Sequence, residues 1–354
     1  MSKIFDSATD CKLLYSSSAQ NKSAMILLRS KLLAISQRLH IHPLKQEKML
    51  LVASEILSNQ IKHADGHGLI QLWQQPESMF DIFALDYGPG IPNIHQAEKN
   101  GYSTSNTLGQ GLGIIRRSSD EYYAYTQQDT PGQTKKWSGT AILARFTAGE
   151  MPDANYISKS MTKELGHFRV GMFSKSLANN RHNGDRIYFY KIDKTLRWVH
   201  LDGLGHGAEA QNATDNIAAH ITHETNMDSL LTAIDKQLIN TRGAVAILGE
   251  IDSSNAKLLG VGDMHAHIYD QEQLYPIAFA PGVLGREHRT TSPTQSKFGK
   301  KYTVITASDG IRRNLDLRNF EGLFNSSPQL IAYLLGNIMG RLSDDQSIFV
   351  AHIK

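Results

Sequence analysis

"GDRIYFYKIDKTLRWVHLDG", residues 184–203, consists of two apolar, β-rich runs separated by Asp193 and Lys194. If the runs pair as a hairpin turning at that dipeptide, Asp185 stands directly opposite Asp202. Two carboxylates held side by side across a ladder repel one another unless a cation lies between them. A divalent metal is the economical explanation. The other reading is a wider loop that slips the register and leaves both acids solvated.

Further β-rich runs follow at "GAVAILGEID", "NAKLLGVGD", "YTVITASD" and "QSIFVAHI", with helical stretches near 208–238 and 327–341. Asp309 closes one strand, and Asp344 with Asp345 opens another. A single strand-ending aspartate is an ordinary turn former. Four acids in this chain order point to one shared site. His206, in "DGLGHGAEA", has the chemistry to protonate a leaving oxygen near neutral pH; capping of the following helix is the plainer reading. Asp263, His265 and His267 alternate along a strand, and a solvent-facing strand edge is the plainer reading there.

A chain of 354 residues exceeds what one core usually holds, so two domains of roughly 150 residues or more are expected. The 37 basic and 34 acidic residues are mixed along the chain, without a basic run to track a phosphate backbone, so nucleic acid is not an expected partner. The first twenty residues lack the apolar core of a signal peptide, and no stretch approaches the roughly 18 apolar residues of a membrane span. Cys11 is the only cysteine, which rules out an internal disulfide or a cysteine zinc site. The expectation is a cytoplasmic protein without a membrane partner.

The first half has a different texture. Residues 22–63 look helical, with Leu50, Ala53, Leu57, Ile61 and Ala64 at helical spacing. Glu55, Asn59 and Lys62 share another face of that helix. An amide oxygen suits Mg²⁺ and a neighbouring carboxylate suits proton abstraction, although a solvated polar face is the alternative. "FDIFALDYGPGIP" is an apolar strand ending in Asp86, with Gly88 and Gly90 just after it. A carboxylate at the end of a buried strand needs a partner, and an adenine amino group offers a donor. "GQGLG", residues 109–113, leads into "IIRRSSDEYYAY", so Gly109, Gly111 and Gly113 can bring backbone N–H groups to phosphate oxygens. "TAGEMPDANYIS", 147–158, reads as a linker.

In this order the three elements resemble the N box and the two glycine boxes of the GHKL ATPase superfamily, within it the RsbT-like switch kinases, over about residues 25–147. The resemblance implies a Bergerat α/β sandwich with ATP and Mg²⁺. Asn59 would hold the metal, Asp86 the adenine, and Gly109, Gly111 and Gly113 the phosphates, with Gly88, Gly90 and Thr140 lining the site. Glu55 would be the base, and a lid would lie near 98–108. Such kinases act on a serine or threonine of a STAS-domain antagonist.

Residues 160–354 resemble PPM-type metal-dependent phosphatases of the SpoIIE branch, most nearly the RsbX-like ones, with the "FAPGVLG" loop included. That implies a β-sandwich flanked by helices and a centre of two Mn²⁺ or Mg²⁺ ions. Asp202 would bridge them, the Gly203 carbonyl and Asp185 would serve one, and Asp309 and Asp344 the other; His206 would be the general acid. "NGDRIYFY" lacks the second acid frequent in that branch. The expected whole is an α+β chain: a GHKL kinase domain at 1–147, a linker at 148–158 and a phosphatase domain at 159–354. The expected function is the phosphorylation and dephosphorylation of a STAS-domain anti-anti-sigma or stressosome-like protein, with a downstream phosphatase or sigma-factor regulator as a further partner. The alternative is a phosphatase whose first half is a nucleotide sensor or docking module.

Overall fold

A computed structural model of the chain describes residues 3–21, 23–76, 79–98, 111–129, 136–147, 165–289, 292–298 and 301–353. The expected linker at 148–158 lies outside them. The chain folds as two units, Leu13–Ser160 with Arg318–Ser326, and Met1–Lys12 with Met161–Leu317 and Ser327–Lys354. Each unit thus takes in a short segment that is distant in sequence. At the N-terminus these are β1 (Phe5–Asp6) and α1 (Ser7–Asp10), both in the second-named unit.

The first unit runs β2 (Lys12–Ser18), α2 (Ala24–Arg38), α3 (Pro43–His63), β3 (Gly68–Gln75), β4 (Met79–Asp86), α4 (Ile94–Ala97), α5 (Gly111–Ser118), β5 (Glu121–Gln127) and β6 (Gly139–Thr147). Its sheet has the order β2-β3-β4-β6-β5. Leu28, Leu32 and Ile35 of α2 and Met49, Val52 and Ile56 of α3 are buried against Ile70, Leu72, Ile82 and Ala144 of the sheet. Asp81 and Arg145, facing across β4 and β6, make a two-point ion pair at 2.7 and 2.8 Å.

The single helical stretch expected over 22–63 is two helices. His40 takes φ +52° between them, and Pro43 stands in the first turn of α3, where its missing N–H leaves no helix bond unmade. Of the expected row, Ala53, Leu57 and Ala64 are buried and Leu50 is half-buried, whereas Ile61 is 52% exposed; Met49, Val52 and Ile56 complete the buried face. A polar residue hid part of that face. Gln60 is buried and its amide donates to the carbonyls of Leu69 and Leu85, tying the helix to the ends of β3 and β4.

The second unit contains β7 (Phe168–Lys175), β8 (Asp185–Ile192), β9 (Thr195–Gly203), α6 (Ala208–Thr214), α7 (Ala218–His223), α8 (Met227–Leu238), β10 (Ala244–Ile251), β11 (Asn255–Val261), β12 (His265–Tyr269), β13 (Leu274–Ile277), β14 (Thr294–Lys297), β15 (Thr303–Ala307), α9 (Pro328–Met339) and β16 (Gln346–Ile353). Two antiparallel sheets result, β1-β8-β9-β10-β11-β14 and β13-β12-β15-β16-β7. Their inner faces meet at Phe189, Trp198 and Phe349, with ring centroids 5.4 and 5.3 Å apart. Tyr188, Val199 and Leu201, one residue out of phase, pack outward with Ile221, Leu230 and Ile234 of α7 and α8. On the other sheet, the Gln329 amide of α9 holds both backbone groups of Met172. The strands read as apolar throughout because helices cover the outside and a sheet covers the inside.

The hairpin closes where its turn was placed. Asp185 pairs with Asp202 and Ile192 with Thr195, and Asp193 takes φ +48° at the turn. His265 and His267, read as a solvent-facing strand edge, are instead buried: β12 lies between β13 and β15, and burial holds both imidazoles neutral, at about 3 and about 4.

Gly249 faces Trp198 in the β9–β10 ladder, and a Cβ there would lie 2.0 Å from the indole ring. Gly249→Ala is therefore expected to destabilise this unit by about 1–3 kcal/mol. Urea unfolding followed by tryptophan fluorescence would show an earlier midpoint; an unchanged midpoint contradicts this packing.

Candidate functional sites

In the first unit, α3 presents Glu55 and Asn59 one turn apart, and α5 begins at Gly111 beside them. A Cβ on Gly111 would lie 3.1 Å from Glu55 Oε2 and 3.3 Å from Asn59 Oδ1, so the helix start is seated directly against both side chains. Neither side chain has a hydrogen-bond partner among the described residues. Gly113 is buried within α5, next to Leu112 of the core, and Lys62 is exposed. Gly109 and the expected lid at 98–108, apart from Glu98, lie outside the described residues.

Asp86 ends β4 and its Oδ1 accepts the backbone N–H groups of Gly88 at 2.9 Å and Thr140 at 3.0 Å. Burial pushes its carboxyl above the ordinary range, and the two N–H groups oppose that only in part. Oδ2 takes no hydrogen bond from the described residues, which leaves an acceptor for an exocyclic amine. The strand end is built around this acid: the Trp137 indole donates to the Asp86 carbonyl at 2.9 Å, and Gly139, at φ +143°, passes so close that a Cβ would lie 2.1 Å from the same oxygen. Gly88 and Gly90 serve close approaches within the chain, to the carbonyls of His63 and Gln127.

In the second unit, Asp185 and Asp202 sit at the open end of the hairpin, on its inner face. Asp309 follows β15, and Asp344 precedes β16, its antiparallel neighbour. Burial is the first cause that raises all four carboxyls, and mutual repulsion adds to it: Asp202 is pushed well up by Asp185, Asp309, Asp344 and Asp263. Asp185 rises to about 7, although the hydroxyls of Ser347 and Ser308 pull the other way. Gly203 is buried against the Ala210 carbonyl of α6. His206 is exposed and near enough to Asp344 to lower its carboxyl. Gly207, not His206, stands at the N-cap of α6.

Asp345 was absent from the expected site. Its two oxygens accept the N–H groups of Leu177 at 2.6 Å and Gly184 at 2.7 Å, which fixes the entry into β8 next to Asp185. His200 was absent too. It lies two residues before Asp202, on the same strand face, and that period-2 relation is the signal that could have found it.

Among the described residues no three acids close on one point as they do around a bound ion. The donor set still fits a divalent cation. It is all oxygen, it is crowded with like charge, and the Asp185 Oδ1 atom is buried with no hydrogen-bond partner among the described residues.

The histidine kinase-like ATPase domain family matches residues 18–136. The serine/threonine-protein kinase RsbT of Bacillus subtilis (strain 168) is 32% identical over 108 residues, 29% of this chain and 80% of that protein. Two solved structures are also similar. RsbX in complex with magnesium covers 53% of this chain and 96% of its own at 18% identity and a TM-score of 0.48. The PP2C phosphatase domain of SpoIIE from Bacillus subtilis, with a fragment of its regulatory domain, covers 94% and 95% at 16% identity and 0.47.

The raised carboxyls have a consequence for stability. A folded state whose acids titrate above their unfolded values binds more protons, so the stability these acids contribute is fully present below about pH 4 and is lost as pH rises toward about 7 and beyond. Thermal unfolding in a chelator should show this decline, and Mn²⁺ should oppose it more at pH 8 than at pH 5. Asp202→Asn should raise the metal-free melting temperature at pH 8 and abolish the Mn²⁺ effect. A metal-free chain destabilised by Asp202→Asn at pH 8 contradicts the repulsion.

Proposed function

The chain belongs, through its N-terminal part, to the family of RsbT-type serine/threonine kinases with a histidine kinase-like ATPase domain, and we propose that it phosphorylates and dephosphorylates the same serine or threonine on a STAS-domain protein. The observation that carries the kinase half is Gly111 seated against Glu55 and Asn59. Bound there, ATP would meet the Asp86 Oδ2 acceptor with its adenine amine. The Asn59 amide oxygen is a hard donor for Mg²⁺, and Glu55 would accept the proton of the attacking hydroxyl as that oxygen bonds to the γ-phosphorus and the bond to the bridging oxygen breaks, releasing ADP. Gly111 allows the phosphates to approach both side chains. The kinase domain of this reading lies within 1–147, less Met1–Lys12, which fold with the other unit, and ends in the linker at 148–158.

The phosphatase half, 159–354, rests on the opposed acids and the uncommitted Asp185 oxygen. Asp185, Asp202, the Gly203 carbonyl, Asp309 and Asp344 would hold two divalent ions, Mn²⁺ or Mg²⁺, which supply an acidified water and neutralise the phosphate. His206, exposed at the rim beside Asp344, gives its proton to the departing serine oxygen. No phosphorylated side chain of the enzyme is required. The output would be the phosphorylation state of the partner, as in a partner-switching regulator of stress-linked transcription.

Incubation with a STAS-domain partner, ATP and Mn²⁺, followed by mass spectrometry, should show phosphopartner accumulating with Asp202→Asn and held low with wild type. Glu55→Ala on the Asp202→Asn background should cut its formation by about 10²–10⁴-fold. Loss of phosphate from a supplied phosphopartner, with none formed by any variant, would make the first half a nucleotide sensor or docking module.

A further inference from the structure

Asp185 is gripped by a row of side chains that neither proposed reaction uses. Thr306 Oγ1 lies 2.9 Å from His200 Nδ1, His200 Nε2 lies 2.7 Å from Ser347 Oγ, and Ser347 Oγ lies 2.7 Å from Asp185 Oδ2. His200 comes from β9 of one sheet, and Thr306 and Ser347 from β15 and β16 of the other. All three are fully buried. Ser347 is itself held by an exchange with Ser308: its N–H donates to Ser308 Oγ, and its carbonyl accepts the Ser308 N–H.

The direction of each bond follows from the chemistry of the groups. A carboxylate oxygen only accepts, so the Ser347 hydroxyl proton points at Asp185. The Ser347 oxygen then accepts from His200, which puts the imidazole proton on Nε2. His200 has only hydroxyls for partners and no counter-ion, so it is neutral and Nδ1 is a lone pair, accepting from the Thr306 hydroxyl. The row therefore runs one way, Thr306 to His200 to Ser347 to Asp185.

That polarity excludes the nucleophile reading that a Ser, His and Asp in contact would otherwise invite. A nucleophilic serine gives its proton to histidine; here serine gives it to aspartate and is out of reach of any substrate. The polar row crosses an interface otherwise filled by Trp198 and Phe349, so it is not what apolar packing alone requires. Its effect falls on one atom pair. Oδ2 of Asp185 is committed, and Oδ1, equally buried, makes no hydrogen bond of ordinary length to the described residues, although the Ser308 hydroxyl is close enough to the carboxyl to stabilise its charge.

We propose that Thr306, His200 and Ser347 form a positioning relay that fixes the Asp185 side chain and reserves Oδ1 for a divalent cation. The inference rests on the metal-dependent reading of the second unit and adds to it the groups that orient the ligand.

Calorimetric titration of Mn²⁺ into the full chain tests it, with folding checked by circular dichroism. Ser347→Ala and His200→Met are expected to weaken binding about 10–100-fold. His200→Gln, which keeps an N–H donor and an oxygen acceptor, should retain most of it. Should His200→Met not fold, Thr306→Val, close in shape, serves in its place and should also weaken binding. Equal Mn²⁺ affinity across these variants, or an equal loss in His200→Gln and His200→Met, overturns the relay while leaving the metal site standing. A wild-type chain that takes up no Mn²⁺ removes the metal reading and the relay with it.

Discussion

Asp185 and Asp202 face one another across a buried hairpin, and much of the second unit is arranged to hold that pair in place. Opposed carboxylates gain nothing from proximity and lose hydration, so a folded chain keeps them together only by fixing the strands that carry them. Helices covering the outer face and a second sheet covering the inner face supply that fixation. Where the apolar contacts end, polar groups take over: Asp345 clamps the entry to β8, and Ser347 takes the inner oxygen of Asp185. The stability given up to hold acids in this way would be returned by the divalent cation proposed to bind them.

The first unit solves a related problem on a smaller scale. Asp86 is also an acid at the end of a buried strand, but it stands alone and is satisfied by backbone N–H groups rather than by a crowd of ligands. One oxygen is used and the other is left. In both units the free acceptor sits at the end of a strand, where hydrogen bonds to the carboxyl's other oxygen fix the side chain. The chemistry differs because the surroundings differ: hydroxyls and acids around Asp185, amide donors and an indole around Asp86.

Much of this was legible in the sequence, for identifiable reasons. The hairpin register followed from a two-residue turn between β-rich runs, and with it came the opposition of Asp185 and Asp202. The Asp-x-Gly-x-Gly turn marked the proposed nucleotide site because Gly88 and Gly90 answer to close backbone approaches, to the carbonyls of His63 and Gln127. What was not legible depended on burial. Gln60 stands in the core row of α3 as a polar residue, so the apolar period found Ala53 and Leu57 but took Ile61, which is exposed, for part of the buried face. His265 and His267 alternate as exposed residues do, yet both faces of β12 are covered. Ser308, Thr306 and Ser347 carry no local signal, and His200 only its place two residues before Asp202, because their roles arise only when two sheets bring them within hydrogen-bond reach.

The account stands on divalent cations between acids that would otherwise repel. Crystals grown with Mn²⁺ and measured at a wavelength where manganese scatters anomalously would test it most directly. Two anomalous peaks sharing Asp202, one of them in contact with Asp185 Oδ1, is the expected result. Well-ordered density for Asp185, Asp202, Asp309 and Asp344 with no anomalous peak among them would contradict it.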